Sequence, residues 1–290
     1  MKIGTVYPQI ETGGEPDAVD KIGLATETLG YDSLLIFDHV VGAVHEGREP
    51  KLIGPYTERD PFHDPFVFFS YLAGITKRIE FITGILILPQ RQTVLVAKQA
   101  ADLDLLSRQR LTVGVGSGWN YVEYDALGAD FMVRGKMLSE QIPYLRRLWS
   151  EPVVSFTGRF HELDRGAVIP RPKRQIPIFC GGWGEFAYKR AAKMADGFIF
   201  TTYRGDGPTA GIARVRELLA HEDRLADKFG FHLITQDRPG SGLGTKAVVD
   251  EMKRWRDLGG THASVSSMNR GFRTSEEHIE FFAAVRNGYS

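Results

Sequence analysis

Asp38 and His39 form a close titratable pair at the end of an apolar run. Histidine can give or take a proton near neutral pH, and a carboxylate beside it can fix its tautomer or bind a ring N–H of a ligand. Because consecutive strand residues point to opposite faces, both side chains reach one site only if the strand ends or bends there. Otherwise Asp38 caps the following turn while His39 packs sideways.

Two other stretches run from apolar residues into glycines and a tryptophan. RLTVGVGSGW, over 110–119, ends in Gly116, Ser117, Gly118 and Trp119, and IPIFC, over 176–180, leads into Gly181, Gly182 and Trp183. Glycine at a strand end lets a ligand approach the backbone and leaves N–H groups for an anion. The pattern predicts a cradle for a flat, phosphorylated molecule; the alternative is two tight turns that bind nothing.

The tryptophans and the phosphate position leave further alternatives open. Trp119 and Trp183 either wall a ring or pack between helix and strand, and the Ser117 hydroxyl is a candidate donor to a phosphate. The GSGLGT stretch at 240–245 is a rival phosphate site, because barrels often use the loops after strands seven and eight. The residues alone do not choose between the two positions.

The elements that must position these residues alternate between strand and helix along the chain. Eight strands are predicted at 2–7, 33–37, 79–88, 111–115, 176–180, 197–201, 231–236 and 263–267. This order predicts a (β/α)8 TIM barrel as a single domain over 1–290. Tyr7-Pro8-Gln9 after the first strand does not fit a dinucleotide fingerprint. A long loop at 40–63 and an insertion with a hairpin at 152–175 interrupt the alternation.

Composition excludes several classes of function. The 290 residues contain 36 Lys+Arg and 36 Asp+Glu, without a long basic run, so nucleic acid is not the expected partner. Cys180 is the single cysteine, which excludes an intrachain disulfide and a multi-cysteine metal site. The chain lacks metal-ligand motifs and a membrane-length apolar run. We therefore expect a cytoplasmic protein that acts on a small molecule, with no metal and no membrane partner.

In such a barrel the active site lies at the carboxyl ends of the strands. The residues predicted there are Tyr7, Asp38, His39, 84–88, 116–119, 181–183, 201–204, His232 and 266–269. Most of them are small, aromatic or apolar, which fits a planar aromatic cofactor better than a metal.

Several motifs, in this order, resemble those of the bacterial luciferase-like superfamily. They are GYDS at 30–33 leading to Asp38-His39, TGIL at 83–86, Gly118-Trp119, Glu123, ALG at 126–128, Phe131, Arg134-Gly135, Glu140, Leu148-Trp149, FTGRF at 156–160, Pro170 with Pro172, and PIFCGG at 177–182. The Asp-His end of the second strand is similar to the branch that uses coenzyme F420, a deazaflavin.

The resemblance implies a barrel with the cofactor ring at the strand ends and with Asp38 and His39 near its reactive edge. It implies a cis peptide between Gly84 and Ile85 that buttresses the ring, and a phosphate site at the loops of strands four and five. The implied cofactor-binding residues are Tyr7, Asp38, Gly84, Ile85, Leu86, Gly116, Ser117, Gly118, Trp119, Gly181, Gly182 and Trp183.

Three functions follow as hypotheses. The first is hydride transfer between reduced F420 and an organic substrate, with His39 as proton donor or acceptor and Asp38 bonded to the cofactor or to His39. The second is an FMN-dependent two-component monooxygenase, and the third is a flavin- or deazaflavin-binding protein without catalysis. The resemblance also suggests a homodimer. The aromatic helix at 66–71 is a candidate contact, although burial in the core explains its rings equally well. The 40–63 loop is expected to cover the substrate.

Overall fold

The computed structural model describes residues 1–201, 207–235 and 244–289. Its strands are β1 (Lys2–Val6), β2 (Ser33–Ile36), β3 (Glu80–Thr83), β4 (Leu86–Ile87), β5 (Leu111–Gly116), β6 (Val154–Thr157), β7 (Glu162–Gly166), β8 (Ile178–Gly181), β9 (Gly197–Thr201), β10 (Gly230–Thr235) and β11 (His262–Ser266). Its helices are α1 (Pro16–Thr28), α2 (Pro65–Ile75), α3 (Thr93–Leu106), α4 (Tyr121–Ala126), α5 (Arg134–Ser150), α6 (Glu185–Met194), α7 (Gly207–His221), α8 (Thr245–Asp257) and α9 (Ser275–Tyr289).

The main sheet is parallel and closes on itself. Its order is β3-β2-β1-β11-β10-β9-β8-β5-β4, and an additional pairing of Phe81 with Leu111 joins β3 to β5. Because β3 and β4 together form one interrupted strand, the sheet is an eight-stranded barrel with helices on its outside. The predicted (β/α)8 barrel is confirmed.

The third barrel strand is shorter than the predicted 79–88 run. It breaks at a cis peptide between Gly84 and Ile85, resumes over Leu86–Ile87, and then passes into a 3-10 helix over Leu88–Gln90. The cis peptide expected from the motif is therefore present, at the carboxyl end of a barrel strand.

Residues inside the barrel alternate with residues that face the helices. The inner cluster contains Val6, Leu35, Phe37, Ile82, Phe179, Ile199, Ile234 and Met268. Their neighbours in sequence belong instead to the cluster beneath the helices, which contains Tyr7, Leu34, Ile36, Phe81 and Phe198. This alternation, expected of strands with two buried faces, decides which strand-end side chains reach the carboxyl ends of the barrel, hereafter the mouth.

His232 belongs to the opposite half of the barrel from the position predicted for it. The register pairs it with His262, the first residue of β11, and the two rings stack with centroids 5.6 Å apart. His232 is fully buried and its Nε2 bonds to Ser264 Oγ at 2.9 Å. It is an interior packing residue rather than a strand-end residue.

The insertion after α5 contains the predicted hairpin, formed by antiparallel β6 and β7. Glu140 of α5 accepts hydrogen bonds from the backbone N–H groups of Arg159 and Phe160 and bonds to Nδ1 of His161 at 2.8 Å. Nε2 of His161 bonds to Thr93 Oγ1 at 2.7 Å. The hairpin is thus attached to α5 and to the start of α3.

Helix α7 ends at His221, because Asp223 has a positive φ of 54° and Arg224 then donates hydrogen bonds to the carbonyls of Ala192 and Ala195. Most of the glycine-rich 240–245 stretch lies outside the described residues, as does part of 201–204. Among the residues described, none of the helices has the length and apolar character required to cross a bilayer.

Candidate active site

The end of β2 presents alternate residues to the mouth. Phe37 belongs to the inner cluster, and the His39 ring, two residues later, lies 5.3 Å from the Tyr56 ring, which packs against that cluster. Asp38 points away, between strand and helix. The strand alternation therefore separates the two titratable side chains that are neighbours in sequence.

Asp38 is fully enclosed and is paired with Arg91. Its Oδ1 accepts from Arg91 Nη2 at 2.6 Å, and its Oδ2 accepts from the Ile87 N–H at 2.9 Å. Arg91 also donates to Asp64, the N-cap residue of α2, at 2.9 Å. Burial lowers the pKa of Arg91, but the charges of Asp38 and Asp64 outweigh it and raise that pKa overall. Asp38 thus fixes the segment after the cis peptide. Of the two partners predicted for it, the cofactor or His39, the hydrogen bond to His39 is not formed.

The partner of His39 is Glu123 instead. Nδ1 of His39 lies 3.2 Å from Oε2 of Glu123, whose side chain has no exposed surface. Oε1 of Glu123 accepts from the backbone N–H groups of Val40 and Val41. Burial raises the pKa of Glu123, but the hydrogen bond and charge of His39 and the two amides outweigh it and lower that pKa overall. Glu123 is therefore an ionised, buried acceptor.

Sequence reasoning listed Glu123 as a motif residue without a role. The two partners are 84 positions apart, and they meet only because the closed sheet places β2 and β5 on either side of β3, with α4 following β5. Asn120 caps α4, with its side-chain oxygen accepting from Val122 and Glu123, and donates to the carbonyl of Val41. Asn followed three residues later by Glu, directly after the glycine-rich strand end, was the available signal.

Three aromatic rings surround His39. Their centroids lie 5.3 Å away for Tyr56, 4.9 Å for Phe62 and 5.7 Å for Trp119, all in edge-to-face orientation. The His39 side chain keeps 8% of its surface exposed. Within the described residues its Nε2 has no hydrogen-bond partner. The ring nitrogen remote from Glu123 is therefore available to a ligand in an otherwise apolar enclosure.

The 40–63 loop supplies two of these rings and covers the third. A Cβ built at Gly54 would lie 2.1 Å from Trp119 Cζ3, so the loop backbone lies directly on the indole. His45 Nε2 bonds to the Tyr56 carbonyl at 2.9 Å, and Tyr121 donates to the Pro50 carbonyl at 2.7 Å. The loop is thus packed over the mouth.

Ile85, the residue after the cis peptide, occupies the space left by two strand-end glycines. A Cβ at Gly116 would lie 2.6 Å from Ile85 Cδ1, and a Cβ at Gly181 would lie 2.5 Å from Ile85 Cγ2. These glycines therefore make room for a protein side chain that projects into the mouth. Gly84 packs in the same way against Leu35, and Gly118, with φ of 63°, packs against Ile87.

The other predicted cofactor-binding residues divide into two groups. Tyr7 and Leu86 are fully buried beneath the helices, with the Tyr7 ring 4.7 Å from Phe68, so the structure does not bring them to the mouth. Ser117 and Trp183 are at least partly exposed, together with Gly182. The Ser117 hydroxyl makes no hydrogen bond within the described chain.

A further residue at the mouth has a polar atom without a partner among the described residues. Thr201 follows Ile199 on the inner side of β9, and its Oγ1 is buried with no hydrogen-bond partner among the described residues. No group of three metal-ligating side chains occurs in the described ranges. The mouth therefore combines an apolar floor with a few unsatisfied polar atoms, as ligand sites do.

The model of the family described as luciferase-like monooxygenase matches residues 3–236. The chain belongs to this family. Its relatives include the uncharacterised Mycobacterium tuberculosis proteins Rv0953c, 30% identical over 98% of both chains, and Rv0940c, 32% identical over 86% of this chain and 83% of the relative. An F420-dependent glucose-6-phosphate dehydrogenase of Amycolatopsis mediterranei is 31% identical over 71% of this chain and 59% of its own length.

Solved structures agree on the fold of this luciferase-like protein. An F420-dependent secondary alcohol dehydrogenase bound to an F420–acetone adduct superposes with a TM-score of 0.79 at 18% identity, covering 100% and 99% of the two chains. The FMN-bound oxygenating constituent of 3,6-diketocamphane monooxygenase from Pseudomonas putida gives a TM-score of 0.62 at 14% identity, covering 89% and 76%. The predicted family is confirmed, and this luciferase-like protein is an enzyme of the oxidoreductase class.

Proposed function

We propose that this luciferase-like protein transfers a hydride between coenzyme F420 and a small organic substrate. The observation that carries the proposal is the His39 ring, whose Nδ1 is held by Glu123 and whose Nε2 is unpartnered in an aromatic enclosure at the mouth. A proton acceptor oriented by a carboxylate is the arrangement that acid–base catalysis requires. F420-dependent relatives in both comparisons support the choice of cofactor.

The residues at the mouth fit a flat, phosphorylated cofactor. Ile85 projects from the strand break and is the surface against which a ring would rest. The free Ser117 hydroxyl and the backbone N–H groups at Gly182 and Gly184, before the first turn of α6, are the groups that would hold a phosphate. The unpartnered Thr201 Oγ1 would donate to a polar edge of the ring or to substrate.

When bound, a deazaflavin supplies the hydride chemistry. In the oxidative direction Nε2 of His39 accepts the proton that leaves the substrate heteroatom as the hydride leaves its carbon; in the reductive direction the imidazolium returns that proton. Tyr56, Phe62 and Trp119 exclude water around this nitrogen. Because they offer apolar surface, the part of the substrate next to His39 is expected to be apolar.

FMN-dependent oxygenation is the second candidate, supported by FMN-bound structures of the same fold. Titrating the apoprotein separately with F420 and with FMN, by quenching of cofactor fluorescence, distinguishes the two. We expect F420 to bind more tightly. FMN binding that is tighter by tenfold or more, about 1.4 kcal/mol, would reverse the assignment.

A third candidate, cofactor binding without catalysis, predicts saturable binding with no turnover. Reduced and oxidised F420 are each incubated with the protein and a panel of apolar alcohols, aldehydes and ketones, and F420 absorbance is followed. Turnover that is lost in His39→Ala supports the enzyme. Tight F420 binding with no turnover on either side of the redox couple would favour the third candidate.

We also propose that the protein is a homodimer through the outer face of α2. Phe66, Phe68 and Phe69 of this helix are buried in the core, whereas Val67 is 71% and Tyr71 is 49% exposed. An apolar residue and an aromatic residue one turn apart on a helix surface are a contact suited to a second copy. Sedimentation velocity of the wild-type protein and of Val67→Glu tests this, and a dimer unaffected by Val67→Glu would place the contact elsewhere.

A further inference from the structure

Glu123 has an unusual set of partners for a buried carboxylate. All of its hydrogen-bond donors belong to three consecutive residues, His39, Val40 and Val41, at the beginning of the 40–63 loop. No arginine or lysine lies within ion-pair distance of it in the described part of the chain. An ionised carboxylate accepts hydrogen bonds and cannot donate them, so the atom of His39 that faces it must carry a proton.

We propose that Glu123 is a positioning residue that sets the tautomer of His39. It keeps the imidazole proton on Nδ1 and thereby leaves the lone pair on Nε2, the nitrogen that is free at the mouth. This inference rests on the proposed proton transfer by His39, and it names the group that makes that transfer possible. Glu123 itself does not touch the reacting atoms, because its side chain is fully buried beneath His39.

The geometry predicts what happens when the carboxylate becomes an amide. In Glu123→Gln one side-chain position keeps an oxygen and the other gains an NH₂ group. Two backbone N–H groups, of Val40 and Val41, face one position, and a single imidazole nitrogen faces the other. The amide oxygen must therefore face the two backbone donors, and the NH₂ group then donates to Nδ1. His39 is forced into the opposite tautomer, with its proton on Nε2, and can no longer accept a proton there.

A second histidine–glutamate pair in the same chain provides a matched control. Glu140 also bonds to Nδ1 of His161 and accepts two backbone N–H groups, from Arg159 and Phe160. The difference is that Nε2 of His161 is already bonded to Thr93 Oγ1, so neither ring nitrogen is available to a ligand. Glu140 therefore attaches the hairpin, and Glu140→Gln makes the same chemical change at a pair that has no free ring nitrogen.

The test combines ¹⁵N NMR of the histidine ring nitrogens in the apoprotein with steady-state kinetics of the F420-loaded enzyme. In the wild type we expect a protonated Nδ1 on His39. In Glu123→Gln we expect a protonated Nε2 and a fall in kcat of about 10²–10⁴-fold, the range that proton transfer contributes. Glu123→Asp, which retains the charge, should keep the wild-type tautomer and recover part of the turnover. Glu140→Gln should change the signals of His161 and leave kcat unchanged.

The outcomes separate this inference from the proposed function. A protonated Nδ1 of His39 in Glu123→Gln, or a protonated Nε2 in Glu123→Asp, would overturn the role of Glu123 whatever the kinetics. A changed tautomer in Glu123→Gln with unchanged turnover would support that role and contradict proton transfer by His39. If Glu123→Gln does not fold, the Glu123→Asp spectrum still decides the matter.

Discussion

Ile85 fills the space that a side chain at Gly116 would need. The two strands β5 and β8 carry glycine at facing inner positions, Gly116 and Gly181, and the side chain of Ile85 lies against both. The sequence predicts that these glycines open space for a ligand. The structure shows that they accommodate the side chain of Ile85, the surface against which we propose that the cofactor ring rests.

We predict that Gly116→Ala displaces Ile85 and weakens both the fold and cofactor binding. The new methyl group would lie 2.6 Å from Cδ1 of Ile85, a β-branched side chain that has few alternative rotamers. Overpacking of this kind costs about 1–3 kcal/mol. Urea denaturation measures the loss, and Ile85→Ala in the Gly116→Ala background should restore part of it. Gly74→Ala, whose added methyl group would meet nothing, is the control; equal effects at both glycines would contradict the packing argument.

His39→Ala should abolish most turnover and leave cofactor binding almost intact. Removing the proton acceptor lowers kcat by about 10²–10⁴-fold, whereas the ring and phosphate contacts remain. Parallel measurements of kcat and of the F420 dissociation constant provide the test. His221→Ala, at an 84% exposed side chain, is the matched histidine control. Turnover equal to wild type in His39→Ala would remove His39 from the mechanism.

Asp38→Ala should lower the stability of the folded protein. Its carboxylate is fully buried, and its removal leaves Arg91 with only the partly exposed Asp64 as a carboxylate partner. Breaking one partner of a buried pair costs about 3–5 kcal/mol. We expect a correspondingly lower midpoint in urea for Asp38→Ala than for His39→Ala. If the two variants unfold at the same urea concentration, the Asp38–Arg91 pair does not hold this part of the fold.

Gly54→Ala should lift the 40–63 loop from Trp119. The added methyl group would lie 2.1 Å from the indole, and the loop backbone must move to admit it. We expect an increased rate of proteolysis within the loop and a raised KM for substrate. Intrinsic tryptophan fluorescence reports the exposure of Trp119. A proteolysis rate equal to that of wild type would show that the loop does not depend on this contact.

Acid should destabilise the protein in the range where buried histidines become protonated. Burial lowers the pKa of His262 to about 4 and that of His278 to about 4, below the usual value of 6.5. Between pH 4 and pH 6.5 these histidines bind more protons in the unfolded chain than in the folded chain. The free energy of unfolding is therefore highest above pH 6.5 and falls as the pH decreases toward 4. At about 1.4 kcal/mol per pKa unit, His262 alone contributes on the order of 3 kcal/mol. Urea denaturation of wild type and of His262→Gln, at pH 7 and pH 5, measures this.

Glu11 contributes to the same pH dependence with the opposite sign. Burial raises the pKa of Glu11 to about 7, so the folded chain binds a proton there more readily than the unfolded chain. Acidification therefore removes the free-energy cost of burying the ionised carboxylate. In Glu11→Gln the decline in stability between pH 7 and pH 5 should therefore be steeper than in wild type. A shallower decline would show that Glu11 is not the group that opposes the histidines.

The strands and the fold were predictable because they depend on local patterns. Apolar runs located every barrel strand, with proline or glycine marking the ends of the first, third, fourth and fifth, and Phe156-x-Gly158-x-Phe160 located the hairpin. The alternation of side chains along a strand could also have excluded Tyr7 from the mouth, because Val6 faces inward and its neighbour must face the helices.

The pairing inside the site was not predictable in the same way. Asp38 and His39 are adjacent in sequence, but their partners, Arg91 and Glu123, come from segments about 50 and 80 positions further along the chain. Which carboxylate meets which base depends on strand register and on the direction in which β2 leaves the barrel. No single-sequence pattern encodes these two quantities.

Both ends of the 40–63 loop are fixed to the barrel. At one end Glu123 accepts hydrogen bonds from the backbone N–H groups of Val40 and Val41, and just after the other end Arg91 donates to Asp64. Any opening of the loop must therefore occur by movement of the residues between these two ends, while the ends stay in place. Tyr56 and Phe62 lie between these two ends and pack against His39, so substitutions within the span would change the surroundings of the proposed proton acceptor while its carboxylate partner, Glu123, stays in place.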